Sequence, residues 1–221
     1  MAENSFEIID LSRTLSSDMP IFPGSISSEI SSAHTIEKNG FNEKKLLLYS
    51  HTGTHIDAPY HILKEGKSLD KFRLDYFMGN SFCIDVSNVK NGVIEIENLI
   101  SFNNNIKKSD FLLLYTDKAK FWKTNEYFKS YPVLSEDATK FLADFSLKGI
   151  GIDAVSFDFI DSKLLPIHNI LLNKNIILIE NLCNLKKIIN RHFIFCCFPL
   201  KIKNADGSPV RAAAIIKFIS N

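Results

Sequence analysis

The chain has 221 residues, 45% of them hydrophobic and 23% charged, with a formal net charge of +1. That length and balance suit a soluble globule that buries a full core without staples, most economically one domain over residues 1–221. A net charge this small gives no electrostatic case for nucleic-acid or membrane binding, and no stretch reaches the roughly 18 apolar residues of a spanning helix.

Residues 1–7 lack a basic region followed by an apolar run, so no secretory signal is read and a cytoplasmic location is expected. Residues 6–11 read as an opening strand. Met19-Pro20-Ile21-Phe22-Pro23-Gly24 holds two prolines and a glycine and reads as an ordered loop. Phe22 in it suits either packing under the loop or a pocket wall. Residues 27–41 alternate polar and apolar side chains and contain the turn signal Asn39-Gly40, as a hairpin would. His34 stands outside any cluster. Residues 43–50, with Leu46-Leu47-Leu48-Tyr49, read as a buried strand that delivers the stretch after it.

That stretch is Ser50-His51-Thr52-Gly53-Thr54-His55-Ile56-Asp57-Ala58-Pro59-Tyr60-His61. It concentrates three of the six histidines beside a carboxylate, the ligand set that suits zinc and its first-row neighbours. A straight strand would aim His51, His55, Asp57 and His61 to one face but hold His51 and His55 roughly 13 Å apart. A helix would align His51 with His55, but Pro59 drives Ala58 out of the α region and Asp57 falls off that face. A curled loop remains, with Gly53 free to take a φ other residues resist.

Further on, residues 80–86 and 93–96 read as strands, 97–102 as a short helix and 103–105 as a loop. Residues 111–115 form an apolar run of strand length, expected at the centre of a sheet. Residues 118–128 are aromatic and basic without a wider basic surplus. Ser135 can cap a helix whose Ala138, Phe141, Leu142 and Phe145 share a face, with Gly149 ending it. Residues 150–155 suit a strand and residues 156–161 a loop. Pro166 opens a short helix bearing His168, and the buried strand 176–179 ends at Glu180. A lone carboxylate there is costly unless paired or metal-bound. Residues 193–200 read as a strand, 205–209 as a turn and 210–216 as a closing strand, with Arg211 suited to a structural ion pair. Cys83, Cys183, Cys196 and Cys197 lack metal or disulfide spacing and read as buried free thiols. The pattern makes an α/β chain with a mixed, largely buried sheet and flanking helices.

His51-Thr52-Gly53-Thr54-His55-Ile56-Asp57-Ala58-Pro59-Tyr60-His61 resembles the H-x-G-T-H-x-D-x-P-x-H signature of the metal-dependent cyclase-like hydrolases. That family includes bacterial kynurenine formamidases (arylformamidases) and isatin hydrolases. The likeness extends to the loop around Phe22, to the glycine-rich step at Gly66, to Gly151-Ile152-Asp153 with its acidic loop, to Glu180-Asn181-Leu182 and to Asp206-Gly207-Ser208-Pro209-Val210-Arg211. The resemblance implies a single domain of swivelling β/β/α architecture, a homodimer, and two divalent metal ions, zinc first and manganese as the alternative. It further implies that His51 and His55 bind one ion, Asp57 bridges both, His168 binds the second and Glu180 reaches both. His61 would be the general acid/base. Phe22 would line the substrate pocket at a position where the family often has Trp, with less area and no N–H donor.

The expected activity is metal-assisted hydrolysis of a small-molecule amide, arylformamidase-like, converting N-formylkynurenine to kynurenine and formate in tryptophan catabolism. Activated water attacks the carbonyl and His61 moves the protons. Ring opening of an isatin-like cyclic amide and a catalytically silent metal- or ligand-binding homologue are the two other readings. The chain has no G-x-S-x-G elbow, P-loop or dinucleotide fingerprint to support a different chemistry.

Overall fold

Residues 6–217 are described in a computed structural model, and the reading of residues 1–5 as free of a signal lies outside them. The first strands are β1 (Phe6–Asp10), β2 (Glu29–His34), β3 (Glu43–Leu47), β4 (His55–Asp57) and β5 (Met78–Asp85). Then come β6 (Val93–Ile94), β7 (Phe111–Tyr115), β8 (Val133–Leu134), β9 (Gly149–Ile152) and β10 (Ile177–Glu180). The last are β11 (His192–Cys196), β12 (Gly207–Pro209) and β13 (Ala213–Lys217). The helices are α1 (Ile36–Asn39), α2 (Ile96–Leu99), α3 (Asn103–Lys107), α4 (Glu136–Ala143) and α5 (Pro166–Asn173).

Nine strands form one mixed sheet in the order β1-β13-β11-β5-β7-β9-β10-β4-β12. The four central strands β5, β7, β9 and β10 run parallel, and every other pairing in this sheet is antiparallel. Parallel strands are covered on both faces, which is why β7 is a continuous Phe-Leu-Leu-Leu-Tyr run, buried throughout. On one face Leu112, Leu114, Ile150, Ile152 and Leu178 pack under α4 and α5. On the other, Ile56, Cys83, Leu113, Ile177 and Ile179 pack with Leu182, Leu185 and Phe193. The mixed α/β sheet with flanking helices is as expected. Ser135 caps α4 by accepting from the Ala138 amide.

The structure corrects several elements. Strand β3 is exposed along its whole length and pairs only with β2 in a separate ribbon, so it is not the buried strand expected before the histidines. Its leucines read as core, but Leu46 and Leu47 are exposed. The hairpin therefore joins β2 to β3, and Asn39-Gly40 lies in the connection, where Gly40 at φ 80° closes α1. Residues 103–105, expected as a loop, begin α3. Helix α4 stops at Ala143, and Gly149 starts β9, where an added Cβ would lie 2.8 Å from the Ile177 side chain. The turn expected at 205–209 includes β12, the strand that closes one edge of the sheet beside β4. Arg211 makes the expected ion pair, a two-pronged contact to Asp10 at 2.8 and 2.9 Å on the exposed surface. All four cysteines are free, with Cys83 and Cys197 buried and the other two partly so.

Candidate metal centre and pocket

The histidine stretch is neither a pure loop nor a pure strand. Gly53 turns the chain at φ 63°, the freedom expected of it. The chain then enters β4, which carries His55 and Asp57, and a short 3-10 turn from Pro59 carries His61. Two residues apart on a strand, His55 and Asp57 share a face. Strand β4 lies between β10 and β12, with His55 opposite both Glu180 and Pro209 and Asp57 opposite Leu178 and Gly207. Parity aims His55, Asp57 and Glu180 toward α5, which supplies His168, while Ile56 and Ile179 fill the opposite core. His51 returns to the cluster through the Gly53 turn.

The expected donors converge. His55 Nε2 lies 3.3 Å from Asp57 Oδ1 and 3.5 Å from Glu180 Oε2. His168 Nε2 lies 3.5 Å from Asp57 Oδ2 and 3.4 Å from Glu180 Oε1. Two donors roughly 2.0–2.1 Å from one tetrahedral ion stand about 3.3 Å apart, so these gaps have the width of coordination edges. Asp57 belongs to two of the three donor groups among the described residues, one with His51 and His55 and one with His168 and Glu180, as a bridging carboxylate would, and the third is His51, His61 and Asp206. His51 differs. Its Nδ1 hydrogen-bonds Asp57 Oδ1 at 2.6 Å and its Nε2 bonds Asp206 Oδ2 at 2.9 Å, so one of these bonds opens if His51 ligates. By donor chemistry and spacing the residues fit a divalent cation.

Surrounding groups fix the rings. His55 Nδ1 donates to the Gly53 carbonyl at 2.8 Å, and His168 Nδ1 to Asp158 Oδ2 at 2.6 Å, so both Nε2 atoms face the cluster and are the atoms that could ligate once unprotonated. Asp158 is held in turn by the amides of Ile167 and His168 at the start of α5. Asn181, at φ 58°, donates to the Gly53 carbonyl and accepts from the buried Tyr127 hydroxyl at 2.7 Å. Asp206 Oδ2 accepts from His51 Nε2 at 2.9 Å and lies 3.6 Å from His61 Nδ1. Sequence reasoning assigned no role to Asp158, Asn181, Tyr127 or Asp206. Three of them sit in segments that carried the resemblance, which was the available signal. Asp153 of the Gly-Ile-Asp segment stays out of the cluster and accepts from the Thr116 amide and hydroxyl.

Electrostatics separate the histidines into two groups. Burial works against a charged His51 or His55, but Asp57 and the other nearby carboxylates outweigh it, pushing them up to about 9 and about 10. His168 is raised against the same burial by hydrogen bonds to Asp158, Asp57 and Glu180. Burial also opposes the ionised forms of Asp57 and Glu180, yet the imidazoles hold both below their ordinary values. His61 goes the other way. Burial, helped by His51 and His168, lowers it below the usual imidazole value, so it is neutral at pH 7.

The cluster is the floor of a pocket of about 720 Å³ whose walls include Met19, Phe22, Trp122, Phe128 and Phe159. Phe22 lines it from the loop between the prolines, half-exposed. His34 lies elsewhere, paired with Glu43.

Fold and site together define a class: a mixed α/β protein whose sheet presents an imidazole–carboxylate cluster, able to hold metal, at the floor of an apolar pocket. The chain belongs to the Cyclase family, whose model, described as "Putative cyclase", matches residues 9–159. It is 35% identical over 208 residues to a kynurenine formamidase of Bacillus cereus, covering 93% of this chain and 96% of that one. It is 33% identical over 216 residues to an uncharacterized protein of Methanocaldococcus jannaschii, covering 95% of this chain and all of that one. Among solved structures it shares its fold with an isatin hydrolase bound to thioisatinate, with a TM-score of 0.88 and 22% identity over 96% of this chain and 93% of that one. A potential metal-dependent hydrolase with cyclase activity aligns with a TM-score of 0.81 and 25% identity, over 96% of this chain and 98% of that one. The named relatives are thus hydrolases. Among the described residues, no helix is long and apolar enough to cross a membrane.

Proposed function

We propose that this chain hydrolyses a small-molecule aryl amide in the manner of an arylformamidase, with two divalent ions, zinc first and manganese as the alternative. The observation that carries the reading is the convergence of His51, His55, Asp57, His168 and Glu180 into two donor groups that share Asp57. The ions would be held by those five side chains, and when bound they supply Lewis acidity, which favours hydroxide over water and polarises a carbonyl oxygen.

The chain's own residues supply the rest. His61 is the general acid/base. It is neutral because burial lowers it, so it accepts a proton from the attacking water. Its Nδ1 faces Asp206, which leaves Nε2 for the substrate side. Water adds to the carbonyl carbon, the carbon–nitrogen bond breaks, and His61 returns the proton to the leaving nitrogen, giving an arylamine and formic acid from an aryl formamide. Asp158 and the Gly53 carbonyl hold the His168 and His55 tautomers against rotation. Aromatic walls, Phe22 among them, receive the substrate's ring and exclude water.

Metal analysis with hydrolysis assays on N-formylkynurenine and isatin tests the reading. The expected result is bound metal at up to two equivalents with turnover of an open-chain aryl formamide. Turnover of isatin alone would favour the ring-opening reading. Bound metal with no turnover of any amide would favour a silent binding protein.

A further inference from the structure

Residues 118–128, the aromatic and basic run, supply part of the pocket wall through Trp122, Tyr127 and Phe128. Trp122 is the chain's single tryptophan and follows the short 3-10 turn Lys118–Phe121. Its amide donates to the Ala119 carbonyl at 3.2 Å and so closes that turn. Arg13, 106 residues before Ala119 in the chain, grips the same turn. Its Nη2 donates to the same carbonyl at 2.9 Å, and its guanidinium carbon lies 4.5 Å from the centre of the Trp122 ring.

Arg13 Nε is buried and has no hydrogen-bond partner among the described residues, which leaves the indole face to meet that edge of the cation. A guanidinium over an indole is a favourable pairing, because a planar cation stacks on the most electron-rich of the rings. Arg13 does not itself line the pocket, so it backs the ring from behind. Tyr127 meets Trp122 edge-on, with ring centres 5.0 Å apart at 82°. An indole held from both sides is a wall already set before a ligand arrives. An aryl ring that stacks on it orders little further. The backbone of Arg13 serves the metal stretch instead. Its amide donates to Thr54 Oγ1 at 2.8 Å, and Thr54 Oγ1 donates to the Asn181 carbonyl at 2.8 Å. Those bonds use no side-chain atom of Arg13, so changing the side chain separates wall from metal.

We propose that Arg13 is a positioning residue for the substrate ring: its guanidinium fixes Trp122 as a preformed stacking face and leaves the metal ligands alone. The proposal rests on the aryl-amide reading above and concerns that same pocket.

Three readouts on metal-loaded protein keep its failure apart from a failure of that reading. Because Trp122 is the only tryptophan, its emission reports this wall alone. Arg13→Met removes the charge and the donors at similar length and should change that emission. Arg13→Lys keeps a cation and should restore most of the change. Emission identical in all three proteins overturns the proposal. Calorimetry with 2′-aminoacetophenone, an aryl ketone probe, should show about fivefold weaker binding to Arg13→Met, the size of loss a cation–π contact gives. Trp122→Leu should weaken the probe at least as much, and adding Arg13→Met to it should lose nothing more. Additive losses overturn the proposal, because Arg13 would then act elsewhere than through Trp122. Unchanged binding, or no binding of the probe to the unaltered protein, overturns it too. With N-formylkynurenine, Arg13→Met should raise KM about fivefold with kcat within about twofold, and metal content should stay the same. A fall in kcat with lost metal would assign the side chain to the metal stretch and refute the separation. Turnover of no amide would sink the hydrolase reading, and emission and calorimetry would still decide the role of Arg13.

Discussion

His61 and Asp57 lie in one short stretch, yet their surroundings assign them opposite tasks. Asp57 touches His51, His55 and His168 and is nearly fully buried, so its loss leaves imidazoles without the carboxylate that two donor groups share. His61 stands above the cluster, its ring centre 4.0 Å from that of His51, and belongs to neither donor group that contains Asp57. His61→Ala should therefore cut turnover about a hundredfold or more with bound metal retained, while Asp57→Ala should lose the metal. Equal metal loss from both substitutions, read by elemental analysis of the purified variants, would refute this division. Asp158 offers a finer test. It accepts from His168 Nδ1 and from two backbone amides, so Asp158→Asn frees the ring to rotate or change tautomer. Metal affinity should fall about 10–100-fold, measured by competition with a chromogenic chelator, and an unchanged affinity would show that Asp158 merely caps α5.

At the scale of elements, the short edge strand β12 matters more than its length suggests. Gly207 sits opposite Asp57, and a Cβ there would come within 2.7 Å of His51 Cε1 and 2.9 Å of its Nε2. A glycine lets the edge strand pass against the imidazole. Gly207→Ala should push His51 off its partners Asp57 and Asp206. The expected outcome is weakened occupancy of one ion with little change at the second, seen as one of two metal-binding steps lost in calorimetry. Loss of both steps together would show that the two donor groups do not act separately. The ribbon of β2 and β3 is a contrasting case. Its leucines are exposed, so their sequence pattern marks a strand without marking burial.

For the whole molecule, the cluster ties stability to pH. His55 is raised to about 10 in the fold against 6.5 when unfolded, and His51 to about 9. A raised imidazole stabilises the metal-free fold fully below about pH 6.5, and that contribution is lost as pH climbs through the folded value. Asp57 and Glu180 are lowered, so their contribution is present above their ordinary values and is lost as pH falls toward acid. Chelator-treated protein should then melt at progressively lower temperature between about pH 6.5 and 10. Metal-loaded protein should not, because ligating imidazoles carry no competing proton, and its affinity for metal should fall as pH is lowered. Melting temperatures of the two forms across that range provide the check. Parallel curves would count against metal at the imidazoles.

How much of this was legible beforehand follows physical range. The His51–His61 stretch could be read because its ligand types are rare in the chain and close in sequence, and Gly53 was readable because the turn needs a positive φ. The apolar run of β7 and the Ser135 cap were equally legible, since burial on both faces and capping each impose a local pattern. The convergence of His168 and Glu180 with that stretch rested on resemblance. A register that sets Glu180 opposite His55, over a hundred residues away, leaves no local trace. For the same reason Asp158, Asn181 and Asp206 were not singled out, being ordinary loop residues until their partners are known. The sequence alone thus determined the donor types, the bend that gathers the early ones, and the α/β class. Tertiary structure decided which distant carboxylates and rings meet and which apolar strands are left exposed, because each depends on pairing between segments that local residue preferences do not encode.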